Sequence, residues 1–187
     1  MKFAEHSKLN GLHAPFSPSQ PSWLNYTDER AMEVYSNKKA SELGTRLHAW
    51  AKEAIDLGIK MPRSKKTLYA YINDAIGYRM STEVVLFYSP YFFGTADAIS
   101  FDETTRFLRI HDLKTGQGKV HIEQLMVYAA LFCLEYKYTP NQLNMELRIY
   151  QNDDVEILVP NPDDICDIME HIKHLNELLL FNAEGDI

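Results

Sequence analysis

Two short runs rich in aromatic and β-branched residues, separated by four polar residues, constrain the fold of this chain most strongly. The runs cover residues 93–101 and 107–115, and Asp102-Glu103-Thr104-Thr105 lies between them. Strand-forming runs flanking a short polar segment are typical of an antiparallel hairpin closed by a turn. The sequence therefore predicts a β-hairpin near the middle of the chain.

The register of this hairpin decides where its charged side chains lie. Pairing Phe101 with Arg106 predicts that Asp97 and Asp112 are diagonal neighbours, roughly 7–8 Å apart at the backbone. Because side chains alternate between the two faces of a strand, Asp112 and Lys114 then project on the same face as Asp97.

Two carboxylates beside a lysine are typical of metal-dependent phosphodiester chemistry. Mg²⁺ favours one or two carboxylates together with waters and phosphate oxygens of the substrate. The alternative is a solvated strand face, on which Asp and Lys are common. The stretches around Asp97 and Asp112 are otherwise apolar. Unpaired acids are seldom placed in such surroundings, which favours a functional site.

A histidine on an amphipathic helix is a third candidate ligand. Apolar residues recur around it at helical spacing: Leu43, Leu47, Trp50, Ala51 and Ala54. Gly44 lies one turn before His48 on the same face. A glycine inside a helix costs up to about 1 kcal/mol, which indicates close approach by another group. His48 can offer a neutral imidazole to a metal; the alternative is a core histidine bonded to backbone.

Taken in order, these segments resemble the RecB-type branch of the PD-(D/E)XK nucleases. The matching motifs are Gly44-Thr45-x-x-His48, Gly94-Thr95-Ala96-Asp97, Asp112-Leu113-Lys114-Thr115-Gly116 and Gln124-x-x-x-Tyr128. The segment 17–24 also looks like the Ser-x-Ser entry to the first helix of that branch. Four motifs in one order are far more specific than any single one.

The resemblance implies a role for each matching residue. His48, Asp97, Asp112 and the main-chain carbonyl of Leu113 would bind a divalent ion, Mg²⁺ or Mn²⁺. Lys114 would orient or activate the attacking water and neutralise charge at the scissile phosphate.

Three further residues each have a functional assignment and a structural alternative. Gln124 and Tyr128, one helical turn apart, would contact the nucleic-acid backbone or the nucleophilic water, with helix packing as the alternative. Glu83 matches a frequent acid of the branch and would support the metal ligands or hold a second metal ion; the alternative is a surface acid at a strand start.

The chain departs from the branch at several positions. Some relatives hold an iron–sulfur cluster on four cysteines, but this chain has only Cys133 and Cys166, so no cluster is expected. His111 stands where an apolar strand residue is usual. By alternation it faces away from the metal, as a packing or surface histidine. The second acid is Asp112 and not Glu, which is no departure, because this branch commonly shows Asp there.

Length and composition set the remaining bounds. With 187 residues and 45% apolar content, we expect a single domain over residues 1–187, loosely ordered at 1–16 and frayed at 183–187. We see no amino-terminal export segment and no apolar run that approaches the roughly 18 residues of a membrane span. We therefore expect no membrane association and a cytoplasmic protein, a phage-encoded protein in its host's cytoplasm among the options.

The net charge of −7 argues against a simple cationic DNA-coating protein. It is compatible with a nuclease, because a metal neutralises the site acids and a local basic strip can hold phosphates. Most lysines here are expected on solvated helix faces. Arg46 and Lys119, close in sequence to His48 and Lys114, are the better candidates for phosphate contact.

The periodicity predicts an α/β or α+β order of elements. Helices are expected at 19–34, 37–57, 64–79, 120–136 and from Pro162 to 181, and strands at 83–88, 93–101, 107–115, 143–151 and 155–160. Asn152-Asp153-Asp154 is predicted to be a turn. The resemblance sharpens this to a restriction-endonuclease-like core, a mixed central β-sheet flanked by helices.

The function we expect is that of a DNA exonuclease hydrolysing phosphodiester bonds from DNA ends in replication, recombination or repair. Its partner would be DNA with single- or double-stranded ends, together with a recombination or single-strand-binding protein, and an oligomer is compatible with this. Two alternatives stay open: a non-cleaving DNA-end-binding module that partners recombination, and a structure-selective endonuclease. The residues leave strand polarity and the number of metal ions open.

Overall fold

A computed structural model of the chain describes residues 14–184. Residues 1–13 and 185–187 lie outside the described residues, and with them most of the two end segments predicted to be loosely ordered or frayed. The chain divides into two compact units, Met1–Thr45 and Arg46–Ile187. All side chains of the candidate site described below belong to the second unit. The single domain over the whole chain stays a prediction.

The described residues form an α+β fold, in which helices flank a five-stranded mixed sheet. The α-helices are α1 (Asp28–Asp56), α2 (Thr67–Gly77), α3 (Glu123–Tyr136) and α4 (Pro162–Glu184). The strands are β1 (Ser81–Ser89), β2 (Phe92–Asp102), β3 (Phe107–Leu113), β4 (Asn144–Gln151) and β5 (Asp154–Leu158). Short 3₁₀ helices cover Pro21–Asn25 and Pro140–Gln142.

The sheet has the strand order β1-β2-β3-β4-β5, and only the pair β3–β4 is parallel. A parallel pair needs a crossover, which α3 provides between β3 and β4. A mixed sheet flanked by helices is the fold class predicted from the sequence, and it is confirmed.

Two hydrophobic cores cover the two faces of the sheet. On one face, α3 and α4 pack against strand residues such as Leu86, Ile110 and Leu147. The other face carries Leu113 and Tyr150 against α1 and α2. Helices pack on both faces of β2 and β3, so polar side chains at the ends of these strands are partly shielded from solvent.

The predicted hairpin register is wrong by two residues. Phe101 pairs with Leu108 and Asp102 with Phe107, and Arg106 belongs to the turn. The Asp102 carboxylate accepts hydrogen bonds from the backbone N–H groups of Thr104 (2.9 Å) and Thr105 (3.1 Å). Arg106 has φ 51°, a left-handed conformation that does not continue a strand. Because side chains alternate with a period of two, a register shift of two residues leaves each side chain on the same face of the sheet. The face predicted for Asp112 and Lys114 is therefore unaffected.

Other predicted boundaries differ by small amounts, with one larger exception. The two helices predicted at 19–34 and 37–57 are instead a short 3₁₀ helix and one continuous α1. Ser36 and Asn37 are weak helix formers, but neither Gly nor Pro interrupts the helix there. The helix predicted from residue 120 begins at Glu123, and that from residue 64 begins at Thr67.

Two local signals at the carboxyl end are confirmed. Asn152 and Asp153, with φ 51° and 60°, form the two-residue turn between β4 and β5. Helix α4 begins at Pro162, and Asn161 Oδ1 accepts the Asp163 backbone N–H at 3.2 Å. No helix within residues 14–184 combines the length and apolar character needed to cross a membrane.

Candidate functional site

Asp97 and Asp112 meet where the ladder between β2 and β3 ends. The last recorded pair is Ala98 with His111, and one further step in the same register sets Asp97 opposite Asp112. The backbone N–H of Leu113 donates to Asp97 Oδ2 at 2.9 Å. This register makes the two acids direct rather than diagonal neighbours. The sequence predicted that the Leu113 carbonyl binds the metal, whereas the contact with Asp97 uses the Leu113 amide.

Glu83 interrupts the side-chain alternation of β1 next to this point. Thr82 Oγ1 donates to Asp56 Oδ1 of α1 at 2.6 Å, whereas Val84 packs into the core on the α3 side. Residues two apart normally share a face, so the face changes at Glu83, which has φ 52°. A non-glycine residue in this region costs roughly 1–3 kcal/mol and is typical of functional sites.

Helix α1 brings His48 to the same place. His48 Nδ1 lies 3.4 Å from Asp97 Oδ2. One ligand atom each from His48, Glu83 and Asp97 lie within 4.8 Å of one another. Gly44, one turn earlier on α1, is buried. Three separate elements thus contribute to one cluster of potential ligands.

The charges of this cluster are coupled. The Asp97 carboxylate raises the pKa of His48 through its close contact, against the opposing effect of burial, and Asp112 and Glu83 add to the increase. Before any cation binds, the carboxylates around His48 therefore favour its protonated form. A divalent ion would compete with that proton for the cluster.

Asp112 is the most buried acid of the site, with 4% of its surface exposed. Burial raises its pKa first, and the Asp97 charge raises it further, while Lys114 and His48 act in the opposite direction. Lys114 Nζ donates to Asp112 Oδ1 at 3.1 Å. Oδ2 lies 3.0 Å from the same ammonium but outside hydrogen-bonding geometry, so it has no hydrogen-bond partner among the described residues.

Lys114 joins β3 to helix α3. Its Nζ donates to Gln124 Oε1 at 2.9 Å, and its backbone N–H donates to the Tyr150 carbonyl at 2.9 Å. Gln124 lies in the first turn of α3 and is exposed. The contact of Lys114 with Gln124 was not predicted from the sequence, and the predicted contact of Gln124 with the nucleic-acid backbone or the nucleophilic water stays a prediction.

Tyr128, predicted to face the site, packs against the β2 backbone. Its hydroxyl donates to the Thr95 carbonyl at 2.7 Å, and its ring covers Gly94. Arg46 on α1 and Lys119 in the segment between β3 and α3 are both exposed. Their predicted phosphate contacts stay predictions.

A network behind the site was not anticipated from the sequence. Tyr150 donates its hydroxyl to Asp74 Oδ2 at 2.7 Å, and the same hydroxyl lies 3.2 Å from His111 Nδ1. His111 is fully buried on the face opposite Asp112, as alternation predicted. Burial and the charges of Arg148 and Arg109 lower the pKa of His111 to about 3. The available signal was the alternation within β4, which sets Glu146, Arg148 and Tyr150 on one face of the strand.

The donor set fits a hard divalent cation. The carboxylate oxygens, which form the majority of the donors, suit Mg²⁺ and Mn²⁺. Asp112 Oδ2, 3.0 Å from Lys114 Nζ, is a further carboxylate oxygen next to the cluster. His48, Glu83 and Asp97 are the residues best placed to hold the ion, with Asp112 adjacent. The sequence predicted Glu83 only as a support for the ligands or as a second-metal group, whereas in the structure it lies beside His48 and Asp97.

A cavity of about 520 Å³ lies elsewhere, lined by residues such as Tyr78, Phe101 and Arg109. It contains none of the acids or the lysine of the site. The candidate site is therefore the cluster of charged residues and not this cavity.

Comparisons with known proteins do not identify a relative of this chain. No protein-family model matches the sequence, and neither curated proteins nor solved structures give a significant match.

Proposed function

We propose that this chain is a metal-dependent DNA nuclease of the PD-(D/E)XK type, acting as an exonuclease at DNA ends. The observation that carries the proposal is the contact of His48 with Asp97, set beside Asp112 paired with Lys114. These four residues come from three motifs far apart in sequence, and their meeting is what a hydrolytic site for phosphodiesters requires. The order of motifs that resembles the RecB-type branch supports the same conclusion.

The residues divide the chemical work. His48, Glu83 and Asp97 would hold the ion, with Asp112 adjacent. A bound Mg²⁺ or Mn²⁺ supplies positive charge at the scissile phosphate and increases the acidity of water. Lys114 adds a positive charge that stabilises a hydroxide nucleophile and the negative charge developing at phosphorus. Gln124, by accepting from Lys114 Nζ, fixes the direction in which the ammonium points.

The Asp112–Lys114 pair has a second consequence. Asp112 is buried and lies next to another carboxylate, so its ionised form depends on nearby positive charge. Lys114 supplies part of that charge. Loss of Lys114 should therefore weaken both nucleophile activation and the ionisation of Asp112.

A cleavage assay tests the proposal directly. End-labelled single-stranded and double-stranded linear DNA and a closed circle are incubated with the protein in Mg²⁺, Mn²⁺ or EDTA. We expect metal-dependent loss of linear DNA that spares the circle. Asp112→Asn and Lys114→Ala should each abolish it, while Asp163→Asn, at an exposed position of α4, and Lys173→Ala, at a half-buried position of the same helix, should retain it.

The same assay separates the alternatives. Cutting of the closed circle would replace the exonuclease with an endonuclease, and preference for forked DNA would indicate a structure-selective one. Binding to DNA ends without cleavage in any metal would contradict the nuclease and leave a DNA-end-binding module.

A further inference from the structure

A cleft adjoins the candidate site on the side of Lys114. It has a volume of about 470 Å³ and lies between α1, α2, the segment that follows β3 and the β4–β5 turn. Leu113 and Lys114 belong both to this cleft and to the candidate site. A molecule bound at the site therefore has direct access to the cleft.

The lining of the cleft suits an uncharged, partly apolar group. Its apolar residues include Leu47 and Leu68, and its polar ones include the amides of Gln117 and Asn152. Apart from Lys114 itself, the one ionised residue of the lining is Asp153. A carboxylate repels phosphate, whereas amides bind sugar hydroxyls and base edges and leucines contact a base face.

The walls of the cleft are held in place. Gln151 Nε2 donates to the carbonyls of Gly116 (2.5 Å) and Gly118 (2.9 Å), which ties the segment after β3 to the end of β4. Asn152 and Asp153 occupy a tight two-residue turn directly after Gln151. A cleft whose walls are fixed before binding loses little conformational entropy when it is filled.

From this geometry we infer that the cleft receives the sugar and base of the nucleotide next to the scissile phosphate. The inference rests on the proposed function and deepens it. A volume of this size lies in the range of small-ligand sites and accommodates one nucleoside rather than a duplex. An unpaired terminal nucleotide can enter such a cleft, whereas a paired nucleotide inside a duplex cannot. End-dependent cleavage follows from this.

Filling the cleft with a large side chain tests the inference. Gln117→Trp and Thr115→Trp place an indole in the lining, and Thr104→Trp places the same group in the exposed β2–β3 turn as the control. Each variant is assayed on linear DNA with an ordinary terminal nucleotide and with a terminal abasic one. Thermal melting checks that all three fold.

We expect the cleft variants to change KM only on DNA whose terminal nucleotide carries a base. On ordinary ends the two cleft variants should raise KM at least about tenfold, because the indole occupies the volume that the base would fill; tenfold corresponds to about 1.4 kcal/mol of binding free energy. On abasic ends they should differ little from the Thr104→Trp control. If the cleft variants behave like the control on both substrates while the wild type cleaves, the inference is wrong and the proposed function stands.

A binding measurement decides the inference even without cleavage. Oligonucleotides carrying the fluorescent base 2-aminopurine at the end or at an internal position are titrated with the protein in EDTA. A fluorescence change confined to the terminal probe, and lost in Gln117→Trp, would support the cleft as a nucleoside site whether or not the chain cuts DNA. Equal signals from both probes, or a terminal signal retained in the variant, would overturn it.

Discussion

Gly94 lies directly beneath the ring of Tyr128. A Cβ atom at Gly94 would come 2.9 Å from Tyr128 Cε1 and 3.4 Å from its hydroxyl, closer than side chains normally approach. The Gly94-Thr95-Ala96-Asp97 segment therefore needs its glycine for close packing of α3 on β2. Asp97 follows three residues later in the same strand, so this packing also sets the position of a site acid.

Gly94→Ala should reduce the free energy of unfolding by about 1–3 kcal/mol through overpacking. Tyr128→Leu combined with Gly94→Ala should cost less than the sum of the two single changes, because removing the ring relieves the contact. Urea denaturation measures all three. Gly77→Ala is the matched control, since a Cβ there meets nothing within 4 Å, and it should be neutral or slightly stabilising. Additive costs for the pair would contradict the packing explanation.

Asp112→Asn should separate stability from activity. The pKa of Asp112 is raised, so its contribution to stability is present when the group is protonated and is lost as pH rises above its ordinary value of 3.8. At neutral pH in EDTA the asparagine variant should therefore be at least as stable as the wild type. Cleavage should fall by more than about 100-fold, since even groups that only support metal ligands account for 10–100-fold. A variant that is both unstable and inactive would indicate a structural role.

Metal affinity should increase with pH because of His48. Contact with Asp97 raises the His48 pKa above 6.5 in the metal-free protein, and a metal needs the neutral imidazole. The protonated pair therefore stabilises the metal-free fold below that pH, and the stabilisation is lost as pH rises through the folded pKa. Calorimetric titration with Mn²⁺ between about pH 6 and about pH 8 should show tighter binding at the upper end. His48→Asn should bind more weakly and flatten that dependence, and an unchanged slope would remove His48 from the ligand set.

Glu83 offers a test of backbone strain at the site. Glu83→Ala and Glu83→Gly both remove the carboxylate, so both should weaken Mn²⁺ binding. They should differ in stability by about 1–2 kcal/mol in favour of glycine, because only glycine adopts φ 52° without strain. Thermal melting in EDTA compares them. Equal stability of the two variants would show that the left-handed conformation is not a property of the folded protein in solution.

Acid should destabilise the fold through His111. Its pKa is lowered to about 3, so the unfolded chain binds a proton below its ordinary pKa of 6.5 while the folded chain does not. The stability associated with neutral His111 is present above pH 6.5 and is lost as pH falls, by about 1.4 kcal/mol per pH unit. Its Nε2 has no hydrogen-bond partner among the described residues, so His111→Phe should fold well at neutral pH.

The phenylalanine variant should also show a shallower loss of stability between about pH 6.5 and about pH 5, where carboxylates contribute less. His174→Asn, at an exposed position of α4, serves as the control and should keep the wild-type slope. A wild-type slope in His111→Phe would mean that other groups cause the acid sensitivity.

The sequence by itself determined the elements and the faces of the central hairpin. Alternation along β3 and into the next residue predicted Asp112 and Lys114 on one face and His111 on the other, and this holds because the period of a strand is a local property of the backbone. For the same reason a register error of two residues left the faces unchanged. Turn residues such as Asn152 and Asp153 were equally local signals.

Only the tertiary structure decided which side chains meet. Helix α1 places His48 3.4 Å from Asp97, and α3 places Gln124 2.9 Å from Lys114; both distances depend on how helices pack across the sheet. The closeness of Glu83 to Asp97 depends on one left-handed residue within β1, which no strand pattern encodes. The sequence therefore identified the candidate residues His48, Asp97, Asp112 and Lys114, whereas packing decided their geometry and the place of Glu83 among them, because contacts between distant segments are set by the whole core.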